Sequence, residues 1–296
     1  MKARVVFLLL CCIWGSTWLF IKLGLRDLPP ISFAAVRFVL ASAILFGVVF
    51  ARRVALPRTA REWALIAVTG VLAFTFNYGS VFWGEQHVSS GLAALLQATM
   101  PVFGMLFAHA YLPGERLTTA RMAGALLGVA GVGLIFSNQM EAGGPLAAWG
   151  SAAIVAGAAC VAYANVLVKA RGGAFDPAVL AAGQMLCGLV PLLAFGLAFE
   201  GNPFRFRWTA LAVVSLLYLT LVGSVAAFLL YYWLVRRIDV TKTMLIPLVT
   251  PLAAVVLGML VLGESLSWRT LAGGALILCG IALVVLRRRQ RLEARG

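Results

Sequence analysis

Charged residues are scarce in this chain of 296 residues. Only 11% of the residues are Asp, Glu, Lys or Arg, and 62% are hydrophobic, whereas a typical soluble domain has about 25% charged residues. With a mean hydropathy of +1.00, the chain has too few polar side chains to cover a water-facing surface. The composition therefore excludes a soluble domain and predicts an integral membrane protein.

Acidic residues are the scarcer charged group, with ten Asp and Glu against 24 Lys and Arg. None lies deep within an apolar segment. Those that border the segments are Asp27, Glu85, Glu115, Glu141, Asp176, Glu200, Asp239 and Glu264. This distribution argues against an acidic proton relay and against a sodium site built on carboxylates. It leaves facilitated diffusion and proton exchange through other groups open.

Residues suited to catalysis or metal binding are also few. The five cysteines fall in apolar segments without the spacing of metal ligands. The chain has only two histidines, and an intramembrane enzyme would need a positioned acid, base or nucleophile. The sequence therefore predicts no enzymatic activity, no metal and no other cofactor.

Long apolar segments dominate what is present. A helix needs about 20 apolar residues to cross the hydrocarbon core of a bilayer. Segments of about this length lie at residues 4–25, 30–51, 62–84, 88–111, 118–136, 148–170, 176–199, 209–235, 240–262 and 268–286. They predict an all-α integral membrane protein with ten transmembrane helices.

The two halves of the chain, residues 1–140 and 141–296, resemble each other. Marker residues recur at offsets between 147 and 150: Lys22 and Lys169, Pro30 and Pro177, Trp83 and Trp233, Pro101 and Pro251, Gly114-Glu115 and Gly263-Glu264. Each half carries five predicted spans, and an odd number requires the second copy to lie upside down in the membrane. We therefore predict two inverted five-helix repeats, which are typical of secondary transporters with a site between the repeats.

Basic residues determine the predicted orientation. With the N-terminus in the cytoplasm, 18 Lys and Arg residues flank the spans on the inside and five on the outside, which favours this topology. Both termini are therefore predicted to be cytoplasmic, in a bacterial-type plasma (inner) membrane. The formal net charge of +14 thus reflects basic residues that flank the spans on the cytoplasmic side. No nucleic-acid partner is predicted.

Arg37 is a basic residue within a predicted span. A charge inside the membrane is costly and usually faces a cavity or a partner, so Arg37 and the nearby Lys22 could form a cationic rim for a carboxylate. The alternative is that both side chains extend to the lipid headgroups. Gln184 occupies the position equivalent to Arg37 in the second half.

Polar and aromatic residues occur in several predicted spans where a lipid-facing helix would not need them. They predict a cavity near the middle of the membrane that suits a small amphipathic solute, although Ser, Thr, Asn and Gln also join helices to one another. The candidate substrate-binding residues are Trp14, Thr17, Arg37, Asn77, Tyr78, Gln97, Tyr163, Asn165, Ser224, Phe228, Tyr231 and Thr243.

Proline and glycine mark other features of the spans. Pro101, Pro247 and Pro251 lie inside predicted helices, where each removes a backbone hydrogen bond, and they are candidate hinges or static kinks. The fifth and tenth spans are rich in small residues, which makes them poor candidates for substrate contact. Gly124 and Gly128 permit a close helix contact, within one molecule or between two, so we expect a monomer or a weak homodimer.

The order and duplication of these residues resemble the EamA-type branch of the drug/metabolite transporter superfamily. The matching residues are Trp14-Gly15-Ser16-Thr17, Lys22, Pro30, Arg37, Pro101, Gly114-Glu115, Pro251 and Gly263-Glu264. The resemblance covers essentially the whole chain and implies ten helices in two inverted repeats with cytoplasmic termini. It also implies export of amino acids or related metabolites, through a central cavity surrounded by the first four helices of each repeat.

The predicted function is therefore a secondary transporter that exports amino acids or related small metabolites by alternating access. Its predicted partners are a small-molecule substrate and the lipid bilayer. The alternatives are a carrier of other small organic solutes or drugs, and a membrane receptor for small molecules that does not transport them. A carrier of sugar phosphates or nucleotide sugars is less favoured, because those carriers use paired basic residues for phosphate.

Overall fold

The computed structural model describes residues 2–113, 118–142, 144–171, 175–235, 237 and 246–293. Over these residues the chain is helical and contains no β-strand, which confirms the predicted all-α class. The candidate residue Thr243 lies outside the described residues, as do Gly114, Glu115 and Asp239.

The helices, numbered α1 to α10 in chain order, lie within a few residues of the predicted spans. Those that run without interruption are α1 (Lys2–Gly24), α2 (Pro30–Ala51), α5 (Thr119–Ala142), α6 (Gly144–Arg171), α7 (Pro177–Phe199), α9 (Ile246–Leu262) and α10 (Trp268–Glu293). Those made of successive segments are α3 (Ala60–Gly70, Val71–Asn77 and Tyr78–Glu85), α4 (Ser90–Gln97 and Met100–Tyr111) and α8 (Ala210–Leu217, Tyr218–Ala226 and Ala227–Val235).

Seven of these helices, within the described residues, are long and apolar enough to cross a membrane: α1, α2, α3, α4, α6, α7 and α8. Shorter apolar stretches in α5 (Met122–Asn138), α9 (Val249–Leu262) and α10 (Trp268–Leu283) occupy the other three predicted spans. The chain is therefore a multi-pass integral membrane protein. The count of ten spans and the orientation of the termini remain predictions.

Local sequence signals set several helix starts. Thr59 and Glu62 form a capping box at the start of α3, in which Thr59 Oγ1 accepts from the Glu62 N–H (3.2 Å) and the Glu62 carboxylate accepts from the Thr59 N–H (2.9 Å). At α7, Asp176 Oδ1 accepts from the N–H of Ala178 (2.8 Å), and Pro177 takes the first helical position. The Asp176-Pro177 pair thus opens the seventh helix, as predicted.

Irregular helix geometry recurs at matching places in the two halves. Residues Val71–Asn77 of α3 and Tyr218–Ala226 of α8 are π-helical, and their positions differ by the offset that relates the marker residues. π-Helical stretches are rare and are frequent at functional sites. In α4, the helix is interrupted between Gln97 and Met100, directly before Pro101.

Several major helix contacts are unchanged when the two halves are exchanged. α2 packs along α7, and α5 packs along α10. α1 packs on α9 as α6 packs on α4, and α3 packs on α7 as α8 packs on α2. These contacts therefore either occur in pairs that are related by exchange of the halves or are unchanged by it.

Glycine allows α5 and α10 to approach closely. A Cβ atom on Gly273 would lie 2.6 Å from the carbonyl oxygen of Gly131, and one on Gly280 would lie 2.5 Å from that of Gly124. Backbones can come this near only where small residues face each other. We call this contact the glycine seam. It lies within one molecule, and the predicted monomer or weak homodimer remains a prediction.

Polar contacts join the two halves at the end of the bundle where α1, α3, α7 and α9 finish, which we call the predicted outer end. Glu200, which follows α7, accepts from the N–H of Ser32 (2.7 Å) at the start of α2. Glu264, which follows α9, accepts from the N–H of Ser90 (2.8 Å) at the start of α4. Gly263 has a φ of 65°, a left-handed conformation that favours glycine at a helix end, and this turn places Glu264 against α4.

Candidate substrate cavity

A cavity of about 260 Å³ lies between α1, α2, α3, α4, α8 and α9. Thirteen of its eighteen described lining residues belong to the first half: Trp14, Thr17, Trp18, Ile21, Arg37, Asn77, Tyr78, Val81, Ala94, Gln97, Ala98, Met100 and Pro101. The second half supplies Gly223, Phe228, Ile246, Thr250 and Pro251. The polar side chains of the described lining therefore come mainly from the first half.

Aromatic side chains form much of the cavity wall. Trp14 packs against Phe228 with ring centroids 6.3 Å apart in an edge-to-face arrangement, and against Tyr231 at 5.5 Å. Tyr78 is stacked on Phe74 at 5.5 Å. Such pairs hold large rings in defined orientations, so the wall presents fixed apolar and π surfaces to a bound solute.

Arg37 is a buried cation at the cavity wall. Its side chain is 2% exposed, and its Nε donates to Ser224 Oγ at 3.2 Å. The guanidinium carbon lies 5.3 Å from the ring centroid of Tyr78, within the range of a cation–π contact. Its Nη1 has no hydrogen-bond partner, which leaves a charged donor available for an anionic group.

The positions of Arg37 and Gln184 are equivalent, but their surroundings differ. Arg37 on α2 reaches Ser224 on α8, whereas Gln184 on α7 donates from Nε2 to Thr69 Oγ1 on α3 at 2.9 Å. The two bonds thus join equivalent pairs of helices. Arg37 lines the cavity, and Gln184 is absent from its described lining.

Gln97 lies at the interruption of α4 and also lines the cavity. Its Nε2 donates to Asn77 Oδ1 at 2.9 Å, which joins α4 to the end of the π-helical stretch in α3. Its Oε1 is buried and accepts no hydrogen bond. Two buried side-chain atoms of the described lining therefore lack a hydrogen bond. One is a charged donor, Arg37 Nη1, and the other is an acceptor, Gln97 Oε1.

The hydroxyl groups of the lining are bonded to their own helices. Thr17 Oγ1 donates to the carbonyl oxygen of Trp14 (2.7 Å), and Thr250 Oγ1 donates to that of Ile246 (2.7 Å). Such bonds to the preceding turn are common for Ser and Thr in helices. These side chains therefore add little unsatisfied polarity to the cavity.

The structure brings together most of the predicted site residues of the first half. Trp14, Thr17, Arg37, Asn77, Tyr78 and Gln97 line the cavity, and Phe228, Pro101 and Pro251 line it too. Ser224 is buried behind Arg37, and Tyr231 packs on Trp14. Pro247 lies in the first turn of α9. As candidate binding and hinge residues, all of these remain predictions.

Tyr163 and Asn165 lie elsewhere on α6. The ring of Tyr163 contacts Phe107 and Tyr111 of α4, each with centroids 5.3 Å apart. Asn165 is exposed on the surface of the helix. Neither belongs to the described lining of the cavity.

Gly223 is a lining residue that the sequence pattern did not indicate. It lies in the π-helical stretch of α8, where a Cβ atom would come 2.8 Å from the Thr17 methyl group and 3.8 Å from Arg37 Nη2. The missing side chain therefore leaves room beside the guanidinium. Its position next to the candidate Ser224 was the available signal.

The surroundings of Lys22 and Glu85 differ from the sequence-based expectation. Lys22 donates to the carbonyl oxygens of Glu85 and Val88, the latter at 2.6 Å, so it is held at the predicted outer end. Glu85 ends α3, as expected, yet it is fully buried. Gly84 explains part of this burial, because a Cβ atom there would lie 2.7 Å from the Gly150 carbonyl oxygen, and α6 therefore covers this end of α3.

The apolar helices and the cavity between them indicate the class of protein, a multi-pass membrane transporter. The sequence profile of the EamA-like transporter family matches residues 1–137 and 148–286. The chain belongs to the EamA-like transporter family.

Individual relatives agree with this assignment. The chain is 29% identical over 269 residues to the uncharacterized transporter YoaV of Bacillus subtilis strain 168, with 91% of each chain covered. It is 28% identical over 281 residues to the uncharacterized inner membrane transporter YedA of Escherichia coli K12, with 93% of this chain and 87% of YedA covered. A crystal structure with 22% sequence identity shares the fold, with a TM-score of 0.68 and coverage of 98% of this chain and 99% of the other.

Proposed function

We propose that the protein is a secondary transporter, without enzymatic activity, that exports amino acids or closely related small metabolites. Membership of a transporter family supports transport, and the cavity supports the substrate class. The proposed site consists of Arg37, Gln97 and the aromatic residues around them.

This proposal rests on two unsatisfied atoms at one cavity, a donor on Arg37 and an acceptor on Gln97. An α-amino acid presents a carboxylate and an ammonium group. Arg37 Nη1 suits the carboxylate, because guanidinium–carboxylate hydrogen bonds are among the strongest in proteins. Gln97 Oε1 suits the ammonium group. Buried polar atoms rarely remain without partners, so a bound zwitterion would supply what these two atoms lack.

The aromatic wall and the cavity volume suit the rest of such a molecule. Trp14, Trp18 and Phe228 offer apolar surface for a side chain and π-faces that attract an ammonium group. About 260 Å³ is near the lower end of the usual range for ligand pockets. A phosphorylated sugar would lack the second basic residue that phosphate binding favours, since Arg37 is the basic residue in the described lining.

The proposed mechanism is alternating access between residues 1–140 and 141–296, which would act as two inverted five-helix repeats. Three observations support it: the two matched family segments, the paired π-helical stretches, and several major helix contacts that are unchanged by exchange of the halves. We also propose that both termini are cytoplasmic, that the protein lies in the inner membrane, and that it works as a monomer.

The decisive experiment is efflux from proteoliposomes. Vesicles containing purified protein are loaded with each of the twenty amino acids in radiolabelled form, and the rate of loss is compared with that from protein-free vesicles. We expect saturable efflux of a subset of amino acids, and slower efflux of their carboxamides, which lack the carboxylate. Equal rates in the presence and absence of protein across the whole panel would refute the substrate class.

A further inference from the structure

Glu85 is a buried carboxylate that the cavity chemistry does not use. Among the described residues, the buried charged side chains are Arg37 and Glu85, which are 2% and 0% exposed. Neither Oε1 nor Oε2 of Glu85 has a hydrogen-bond partner. An ionised carboxylate in this state would lack every donor that normally stabilises its charge.

The charged groups around Glu85 leave its carboxylate without a donor. Lys22 of α1 directs its ammonium group to the carbonyl oxygens of Glu85 and Val88. Glu264, after α9, adds a second negative charge nearby. From α2, the Arg37 guanidinium lies 6.0 Å from the ring centroid of Phe82, one turn before Glu85.

Two other elements complete these surroundings. His87, in the turn after α3, packs its ring on Trp83 with centroids 5.0 Å apart. The described charged residues of α6 are Lys169 and Arg171, which lie at the opposite end of that helix from Glu85's neighbour Gly150. The described segment of α4 that begins at Ser90 carries no charged residue up to Gln97.

Other carboxylates in the described residues have the donors that Glu85 lacks. Glu264 accepts from the Ser90 N–H (2.8 Å), the Ser90 hydroxyl (2.9 Å) and the Gly91 N–H (3.2 Å). Glu200 accepts from two backbone N–H groups of α2. Glu264, whose carboxylate accepts three hydrogen bonds, is therefore a matched contrast for Glu85 at the same end of the molecule.

Glu85 is also positioned to respond to the cavity. Tyr78, Val81 and Glu85 are spaced by three and four residues, so they share one face of the last segment of α3. Tyr78 and Val81 line the cavity. Glu85 therefore lies one helical turn, about 6 Å, beyond the cavity wall toward the predicted outer end. On α1, Lys22 stands in the same relation to the lining residue Trp18.

We propose that Glu85 is a proton-binding site and that one proton moves inward through it as one substrate molecule leaves. In the closed arrangement the side chain is a neutral carboxylic acid. On exposure to one side of the membrane it releases the proton to water and becomes a carboxylate, whose charge Lys22 balances. On exposure to the other side it takes a proton up again, and no other reactant is consumed.

A proton fits this site better than a metal cation does. Sodium and other hard cations are bound by several oxygen atoms. Here the carbonyl oxygens beside the carboxylate, those of Glu85 and Val88, already accept from the Lys22 ammonium group. A proton needs only the carboxylate itself. The step also rests on the proposed transport function, because the coupled movement requires a substrate.

The first test measures protonation and needs no substrate. Infrared spectra of the purified protein in lipid nanodiscs at neutral pH, in H₂O and D₂O, should show the carbonyl stretch of a protonated carboxylic acid. The band should disappear in Glu85→Gln and persist in Glu264→Gln, with Glu200→Gln as a second control if Glu264→Gln does not fold. If Glu85→Gln itself does not fold, Glu85→Asp should shift the band. A band that is absent from the wild-type protein, or unchanged in both Glu85 variants, would overturn the proposal.

The second test measures coupling in proteoliposomes loaded with a radiolabelled mixture of the twenty amino acids. With the membrane potential held at zero by a potassium ionophore and equal potassium concentrations, one-to-one exchange predicts that each pH unit of gradient, acidic outside, shifts the substrate distribution about tenfold. Glu85→Gln should still exchange internal for external amino acids but should show no response to the gradient. A response retained in Glu85→Gln would overturn this inference alone. Absence of any amino-acid flux in the wild-type protein would refute the proposed function, while the infrared result would still decide whether Glu85 is protonated.

Discussion

The cavity and the glycine seam are two contrasting regions of the same helical bundle. At the seam, α5 and α10 are continuous helices whose facing glycines bring their backbones into contact. Around the cavity, α3 and α8 contain π-helical stretches and α4 is interrupted beside Gln97. The same apolar composition thus forms a close-packed contact in one place and a cavity with unsatisfied polar atoms in the other.

The contrast between the two regions indicates that the seam stabilises the fold and that the cavity serves function. Association of helices in lipid depends on close packing, so the seam should contribute to the stability of the fold. Buried polar atoms without partners cost free energy, so Arg37 and Gln97 should reduce stability unless a ligand binds them. Substitutions in the cavity should therefore impair transport without destabilising the protein, and substitutions in the seam should do the reverse.

The largest effect is expected from Arg37→Met. The variant removes the charged donor, and hydrogen bonds to charged groups contribute about 1.5–3 kcal/mol each, so we expect efflux to fall by about 100-fold. The melting temperature in detergent should stay the same or rise, because a buried charge with an unsatisfied nitrogen is removed. Arg37→Lys, which keeps the charge, is the control and should retain more activity. A melting temperature that falls together with activity would show that Arg37 is structural.

A bulky residue in the seam should produce the opposite result. The Cβ of Gly273→Val would collide with the Gly131 carbonyl oxygen, and overpacking of this kind costs about 1–3 kcal/mol. We expect a lower melting temperature with unchanged efflux per folded molecule. The matched control is Gly133→Val on α5, where a Cβ would meet no atom within 4 Å. Equal destabilisation by the two variants would contradict the assigned role of the seam.

Gln97→Ala should have an intermediate effect. It removes the unsatisfied acceptor and the bond to Asn77, so efflux should fall about tenfold, which corresponds to about 1.4 kcal/mol. The matched control is Gln184→Ala, which removes a single side-chain bond, to Thr69, away from the cavity. That variant should lower stability by about 1 kcal/mol and leave efflux unchanged. Loss of transport in Gln184→Ala alone would reverse the assignment of the two residues.

Much of the fold could be predicted from the sequence because it depends on local patterns. Apolar length located the helices, and Asp176-Pro177 located the start of α7. Arg37 stood out because a charge inside a span is costly wherever the helix packs. The glycines of α5 indicated a close contact, although only the packing of α10 against them showed that the contact lies within one molecule.

The remaining features depend on tertiary packing. Glu85 is near a span end, and its burial follows from the approach of α6 to Gly84, which no local pattern reports. The π-helical stretch that places Gly223 beside Arg37 carries no distinctive residues. The sequence repeat also treats both halves alike, whereas the described cavity lining comes mainly from the first half. Tyr163 and Asn165 were selected as polar and aromatic residues within a predicted span, a pattern that does not show which face of α6 meets the cavity.

The smallest effect is expected at Tyr163, a candidate residue on α6 that can be compared with Trp14 on α1. Trp14 lines the cavity, whereas Tyr163 packs between α4 and α6 against Phe107 and Tyr111. Trp14→Ala should reduce efflux about tenfold, because it removes aromatic contacts worth about 0.5–1.5 kcal/mol each. Tyr163→Ala removes contacts outside the cavity and should change efflux by about twofold or less. Both are measured as efflux per folded molecule. Equal losses would mean that Tyr163 joins the cavity wall at another stage of the cycle, since alternating access moves the two halves relative to the substrate site.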